Sequence, residues 1–382
     1  MTASSAQPLN SLMADAQWLA HRYDPEQDAF HFLQLPRARH GEIPFLTDEY
    51  VGQAVEPIVI RREEAIAAAP PPAPVHFIFH SAYCCSTLLA AVFDRPGIAM
   101  GLKEPVLLND IVGWRHRGAK GPEAARALDH GLRLLARPFS GEAMVIKPSN
   151  LINPLIPGIM AMWPTARALF LHAPLDAYLA SIARKGMWGR LWVRDLFGKL
   201  LREGMVNLGV APSDYLGLTD IQVAALGWLT QHAQFQALTK QLGERVLTLN
   251  SETLIAHPTD SLTALARHFD ITLSRADIAD IVSGPIFVPR FQDRRRLRPG
   301  PARARRAGWQ GATCRGGREG RRMGDPDRAQ QWHRHGPASP AAGLRRLSRP
   351  RAGVEHQIID GKNDCWAQRR CRACRVQALK TA

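Results

Sequence analysis

The sequence predicts an α/β fold of three layers, a parallel β-sheet flanked by helices. Two observations lead there. Short β-prone runs alternate with apolar, helix-like stretches through residues 75–269. Connections of about ten residues or more that can form a helix join parallel neighbours, whereas tight turns join antiparallel ones. The chain, at 382 residues, is long enough for one large domain or two medium ones.

Taken in order, residues 1–69 are expected to form an N-terminal appendage. It is set off by the stiff run Pro70-Pro71-Pro72-Ala73-Pro74. A strand follows at Val75-His76-Phe77-Ile78-Phe79, then a polar turn over 80–86 and an apolar helix over 87–93. Ala and Leu at helical spacing predict a helix over 122–136, followed by a strand at 143–147, a helix at 154–162 and a strand at 166–171. Helices are expected at 175–184, 221–242 and 260–269, with a strand at 245–249. This places the main domain at 70–290, and no internal repeat is visible.

The net charge of +15 is unevenly placed. Residues 1–290 hold 26 Lys/Arg against 27 Asp/Glu, while residues 291–382 hold 23 against 7. The basic pI therefore belongs to the tail, which removes the simplest argument for nucleic-acid binding by the folded domain. The tail contains 21 Arg, 13 Ala, 11 Gly and 6 Pro but only 9 Leu, Ile, Val and Phe, too few to bury a core, so disorder is predicted. A polyanion-binding segment would have this composition, and so would a GC-rich gene read out of frame after about Arg290. The scarcity of Lys favours the frameshift, because Lys neutralises phosphate as well as Arg does.

No apolar run approaches the roughly 18 to 20 residues that span a bilayer. The first twenty residues show neither a basic nor an apolar signal region, so a cytoplasmic protein with reduced thiols is expected. Cys371 and Cys374 form a single C-x-x-C without the second ligand pair of a structural zinc site. His76 and His80 start on a strand, where four residues span roughly 13 Å, too far to share an ion. No metal is expected.

In an open parallel sheet, function gathers at the carboxyl ends of the strands. The first such loop, His80-Ser81-Ala82-Tyr83-Cys84-Cys85-Ser86-Thr87-Leu88, leads small and hydroxyl residues into a helix, offering N–H groups and hydroxyls to a phosphate. The same residues also suit a plain helix cap. The Gly-Lys pair of a Walker A loop is missing, which weighs against an ATPase or GTPase.

The run from Phe77 to Leu89, with Lys103-Glu104-Pro105 after it, resembles the sulfotransferase-like branch of the P-loop superfamily. Val145-Ile146-Lys147-Pro148-Ser149-Asn150 is similar to that family's strand end carrying an active-site Lys. The segment from Ala166 to Asp176 resembles its 3′-phosphate-binding strand and turn. Val246 to Leu254, followed by His257-Pro258, is similar to the segment before its last helices. The likeness covers about residues 75–285. It implies a P-loop-type sulfotransferase fold that transfers a sulfuryl group from 3′-phosphoadenosine 5′-phosphosulfate (PAPS) to a hydroxyl or amine of a small-molecule acceptor.

The resemblance implies donor binding by Ser81, Tyr83, Cys84, Cys85, Ser86 and Thr87. His172 stands where the family commonly has an Arg for the 3′-phosphate, with Ser181 near the position of its Ser; Arg184 and Lys185 are the nearest replacement charges. Lys147 is expected to neutralise the leaving phosphate oxygen. Glu104 is expected to act as general base, with an ion pair to Lys103 or Arg115 as its plain structural alternative. Ser149 stands where many members have a catalytic His. Trp188, Arg190 and Trp192 offer a lining for an acceptor pocket, but aromatics at i and i+4 on a helix more often enter the core, which is where Trp188 and Trp192 are expected. Two other functions stay open: a non-catalytic nucleotide or polyanion binder acting through the basic tail, and a small-molecule kinase, for which a Mg²⁺-binding carboxylate and a loop Lys are not evident.

Overall fold

Antiparallel and parallel sheets share the chain. In this computed structural model, which describes residues 9–52, 56–209 and 211–287, the first strands are β1 (Trp18–Asp24), β2 (Ala29–Gln34) and β3 (Ile58–Arg61). They form an antiparallel sheet in the order β1-β2-β3. The tail from residue 291, with its expected disorder and its Cys pair, lies outside the described residues.

Five further strands make the parallel sheet: β4 (Val75–His80), β5 (Ala99–Lys103), β6 (Ala143–Lys147), β7 (Ala168–His172) and β8 (Val246–Asn250). Their order is β5-β6-β4-β7-β8, and every pairing is parallel. Side chains alternate between faces along each strand. Phe77, Phe79, Met144, Ile146 and Phe170 enter one buried cluster, and Ile78, Val145, Leu169 and Leu171 enter another. Helices Val106–His116, Gly121–Leu135 and Ile156–Met162 contribute to the first cluster. Helices Ser86–Val92, Leu175–Arg184 and Pro258–Phe269 contribute to the second. This is the three-layer parallel architecture expected from the sequence.

The N-terminal segment is built into that architecture. Leu19, Phe30, Phe32 and Ile60 of the antiparallel sheet share one hydrophobic cluster with Phe77 and Phe79. Arg37 reinforces the union: its guanidinium bonds Asp94 (2.7 Å), Glu142 and the carbonyl of Ala99. Residues 154–162 divide into a 3-10 turn, Asn150–Leu155, and the helix Ile156–Met162, because Pro154 lacks an N–H to extend an α-helix backwards. Among the described residues, no helix is long and apolar enough to cross a membrane.

The topology locates the site. From β4 the chain crosses to β5 at one edge and returns through β6; from there it passes to β7 and β8 on the other side. Connections thus leave β4 and β7 in opposite directions, so the loop after β4 stands at the point where the strand order reverses.

Candidate active site

A cavity of about 590 Å³ lies at the ends of β4, β5 and β6. It is walled by loop residues His80 and 82–87, by Glu104 and Asn109 after β5, and by Lys147 and 149–151 after β6. Ser181, Lys185, Trp188 and Trp192 close one side, and Phe45 reaches in from the N-terminal segment.

The loop after β4 is unusual in its backbone. Ala82, Tyr83 and Cys85 have φ values of +71°, +51° and +65°, a region that side chains other than glycine seldom occupy. Such conformers persist where surrounding contacts hold them, and His80 supplies several of these. The Ala82 N–H donates to His80 Nδ1 (3.0 Å), which leaves the proton on Nε2 to donate to the Pro148 carbonyl (3.1 Å). The His80 carbonyl in turn accepts from Asn153 Nδ2 (3.0 Å). Complete burial, aided by nearby Lys147, pushes the His80 imidazole well below its usual pKa of 6.5, so it is neutral at pH 7. His80 therefore ties the β4 loop to the β6 loop as a neutral brace.

Lys147, the last residue of β6, is 1% exposed. Its ammonium donates to Glu104 Oε1 and lies 5.3 Å from the centroid of Phe45. Glu104 follows β5 in a left-handed conformation (φ +54°), and its N–H donates to the Lys147 carbonyl (2.7 Å). The ion pair is thus set by backbone clasping as well as by charge. His80 Nε2 stands 3.8 Å from the same Glu104 oxygen; with a neutral ring this is a polar contact rather than an ion pair. Neither sequence-level partner of Glu104 is its partner in the fold, since Lys103 pairs with Asp94 and Arg115 with Glu203. Ser149 Oγ donates to Asn109 Oδ1 (2.6 Å), orienting both at the cavity wall.

Nine of the twelve residues expected at the site line this one cavity: Tyr83, Cys84, Cys85, Ser86, Thr87, Glu104, Lys147, Ser149 and Ser181. Cys84 does so while itself fully buried. Its buried thiol is pushed up to about 12 by desolvation and donates to the Leu171 carbonyl (3.4 Å).

Ser81, His172 and Arg184 do not line the cavity. Ser81 is fully buried. His172 lines a separate hollow with His232, whose ring meets it edge-on at 4.8 Å, and burial lowers the His172 pKa. A neutral, diverted imidazole does not replace a guanidinium. Arg184 is exposed and donates to Ser181 Oγ (3.0 Å), one contact away from the cavity.

Phe45 and Asn109 join the site without a signal in their local sequence, while His80 and Asn150 belong to the loop and strand-end segments singled out above. Trp188, expected in the core, is 59% exposed and lines the cavity with Trp192. The charge of Lys185 beside this pair was the legible sign: its ammonium lies 5.9 Å from the Trp188 ring centroid.

The cavity combines a nearly sealed cation, a solvent-reachable carboxylate and a loop leading into a helix. A cation stabilises negative charge that develops on a leaving oxygen, and a carboxylate removes a proton from an incoming nucleophile.

No family model and no curated protein sequence matches the chain. Among solved structures, a sulfotransferase domain from the curacin biosynthetic pathway is similar at 16% identity and a TM-score of 0.37, over 57% of this chain and 80% of that one. A sulfotransferase domain from the Synechococcus PCC 7002 olefin synthase is similar at 17% identity and a TM-score of 0.38, over 61% and 90% of the two chains. Sulfotransferase STF9 from Mycobacterium avium is similar at 12% identity and a TM-score of 0.38, over 57% and 69%. Among the described residues, no cluster of three or more His, Cys, Asp or Glu is placed to hold a metal ion.

Proposed function

We propose that this cavity transfers a sulfuryl group from PAPS to a hydroxyl or amine of an acceptor. The observation that carries the reading is the Lys147–Glu104 pair, held beside the loop with left-handed Ala82, Tyr83 and Cys85 and the Ser86–Thr87 hydroxyls at the strand ends of a parallel sheet. The loop N–H groups and the two hydroxyls hold the 5′-phosphate of the donor. The acceptor oxygen or nitrogen forms a bond to sulfur while the bond from sulfur to the 5′-phosphate oxygen breaks. Lys147 neutralises the charge left on that phosphate, and the acceptor's proton passes to Glu104.

The resting ion pair gives this sequence an order. An incoming phosphosulfate competes for the Lys147 ammonium, and the carboxylate it displaces becomes available to the acceptor. Ser181, Lys185 and neighbouring Arg184 are the groups available for the 3′-phosphate.

Calorimetric titration of the full chain with adenosine 3′,5′-bisphosphate, using AMP as control, tests the donor site. Preference for the bisphosphate by about tenfold or more, some 1.4 kcal/mol, is expected; Lys147→Ala should weaken both nucleotides, which share the 5′-phosphate, whereas Lys185→Ala should reduce the preference itself. Equal binding of both nucleotides, or binding of neither, defeats the reading.

A further inference from the structure

Helix Gly186–Arg202 carries more apolar surface than its packing consumes. Its buried face is Gly189, Val193, Leu196, Phe197 and Leu200. Yet Met187, Trp188 and Leu191 are 67%, 59% and 63% exposed, three large apolar side chains within five residues. An amphipathic surface helix normally turns polar groups to solvent on that side, and clustered apolar exposure marks a surface that meets something.

The patch is continuous with the cavity. Trp188 and Trp192 line it, their rings nearly parallel (14°) with centroids 6.5 Å apart. Tyr83 of the β4 loop meets Trp192 edge-on at 5.3 Å. Tyr83, Trp192 and Trp188 thus make a largely apolar track along the cavity wall, edged by the Lys185 ammonium 5.9 Å from the Trp188 ring centroid, and Met187 and Leu191 follow beside Trp188 on the exposed surface of the same helix. The helix is held close to its neighbour at this point, for a Cβ on Gly189 would come within 2.6 Å of the Ile182 carbonyl oxygen.

We infer that the acceptor is an amphiphile, an alcohol whose hydroxyl enters beside Glu104 and whose extended apolar chain leaves the cavity along this track. The inference rests on the sulfuryl-transfer reading for its chemistry. The alcohol oxygen forms the bond to sulfur, the donor's sulfur–oxygen bond to the 5′-phosphate breaks, and the hydroxyl proton goes to Glu104. The products are an alkyl sulfate ester and adenosine 3′,5′-bisphosphate. A sugar could stack on an indole face but has no chain to cover Met187 and Leu191, which are 67% and 63% exposed.

The test titrates the full chain with ω-bromoalkanols, from butanol to undecanol, and follows bromine quenching of indole fluorescence. Because each buried methylene contributes about 0.8 kcal/mol, Kd should fall about threefold to fourfold per added carbon until the track is filled. The exposed double variant Met187→Ser with Leu191→Ser should weaken the longest alcohol by about tenfold or more and leave the shortest unchanged. Its affinity for adenosine 3′,5′-bisphosphate should stay at the wild-type value. Quenching independent of chain length, or a length dependence that survives in the double variant, overturns the inference. Failure of the bisphosphate to bind while the length dependence holds defeats the transfer reading alone and leaves the amphiphile track standing.

Discussion

Lys103 and Lys147 end neighbouring strands in register with each other, each is 1% exposed and each faces a carboxylate. The surroundings of those carboxylates differ. Asp94, the partner of Lys103 at 3.0 Å, has a side chain with no exposure and also accepts from Arg37; the Lys103 ammonium additionally donates to the His40 carbonyl. That cluster is closed on every side and joins the N-terminal segment to the sheet. Glu104, the partner of Lys147, keeps 23% of its side chain exposed and faces the cavity. A buried ion pair with both members enclosed serves cohesion, whereas one with an open member can exchange its partner for a ligand.

The largest effect should come from breaking the closed cluster. Asp94→Ala leaves two cations facing each other without their shared anion, and a loss of about 3–5 kcal/mol is expected in urea unfolding. Glu104→Gln, in the same assay, should cost less, about 1–3 kcal/mol, because the amide oxygen still accepts from the Lys147 ammonium and the site is partly open to water. Equal losses would erase the distinction between the two pairs.

Turnover should show the reverse ranking. Lys147→Met is expected to lower sulfuryl-transfer kcat by about 10²- to 10³-fold, the scale for removing one charge-stabilising group. Glu104→Gln should lower it by about 10²-fold or more, the scale of general-base catalysis. Normal turnover in either variant, measured by release of adenosine 3′,5′-bisphosphate, would reduce the open pair to a structural one.

The closed cluster should also have a pH signature. Burial pushes His40, beside Lys103, down to about 4, so it is neutral in the folded protein, whereas in the unfolded chain it takes up a proton below about 6.5. The unfolded state therefore binds more protons between pH 6.5 and 4. Stability present above that window falls on acidification, by up to about 1.4 kcal/mol per pH unit for this group. Urea midpoints of His40→Leu between pH 7 and 4.5 should show a correspondingly shallower slope, and an unchanged slope would assign the acid sensitivity elsewhere. The smallest effect is expected from Ser149→Ala, which removes the 2.6 Å bond to Asn109. About 1 kcal/mol of stability and less than about a tenfold change in kcat should be lost.

Much of this fold was legible because its strands and helices are locally unambiguous. The predicted strand 143–147 and helix 175–184 coincide with β6 and Leu175–Arg184, both with continuous or periodic apolar residues. β5 is weaker in its own sequence: Gly101 interrupts Ala-Met-Gly-Leu-Lys, and that glycine answers to packing, since a Cβ there would meet the Ala90 carbonyl oxygen at 2.5 Å. The antiparallel strands and helix Val106–His116 had no counterpart in the sequence-based reading.

At the site, the residue types could be read but their pairing could not. Which Lys meets Glu104 depends on the β5–β6 register and on the left-handed turn at Glu104, neither of which is written in local sequence. Trp192 does pack against the core while also lining the cavity, whereas Trp188 is turned outward; Gly189 between them permits the close approach that selects the inward face.

The sheet has its earliest strand at its centre. β4 pairs with residues far downstream, Val75 with Met144 and Phe77 with Ala168, so it waits for much of the chain before it has neighbours. Contacts of such long sequence separation form slowly. Until they form, the apolar run Phe77-Ile78-Phe79 is unprotected and prone to aggregation, and chaperones relieve that kind of exposure. The cavity walls come from segments as far apart as Phe45 and Trp192. During synthesis the cavity therefore comes into being late and in stages, and a nascent chain that stops short of helix Gly186–Arg202 has the loop, Glu104 and Lys147 without an enclosure around them.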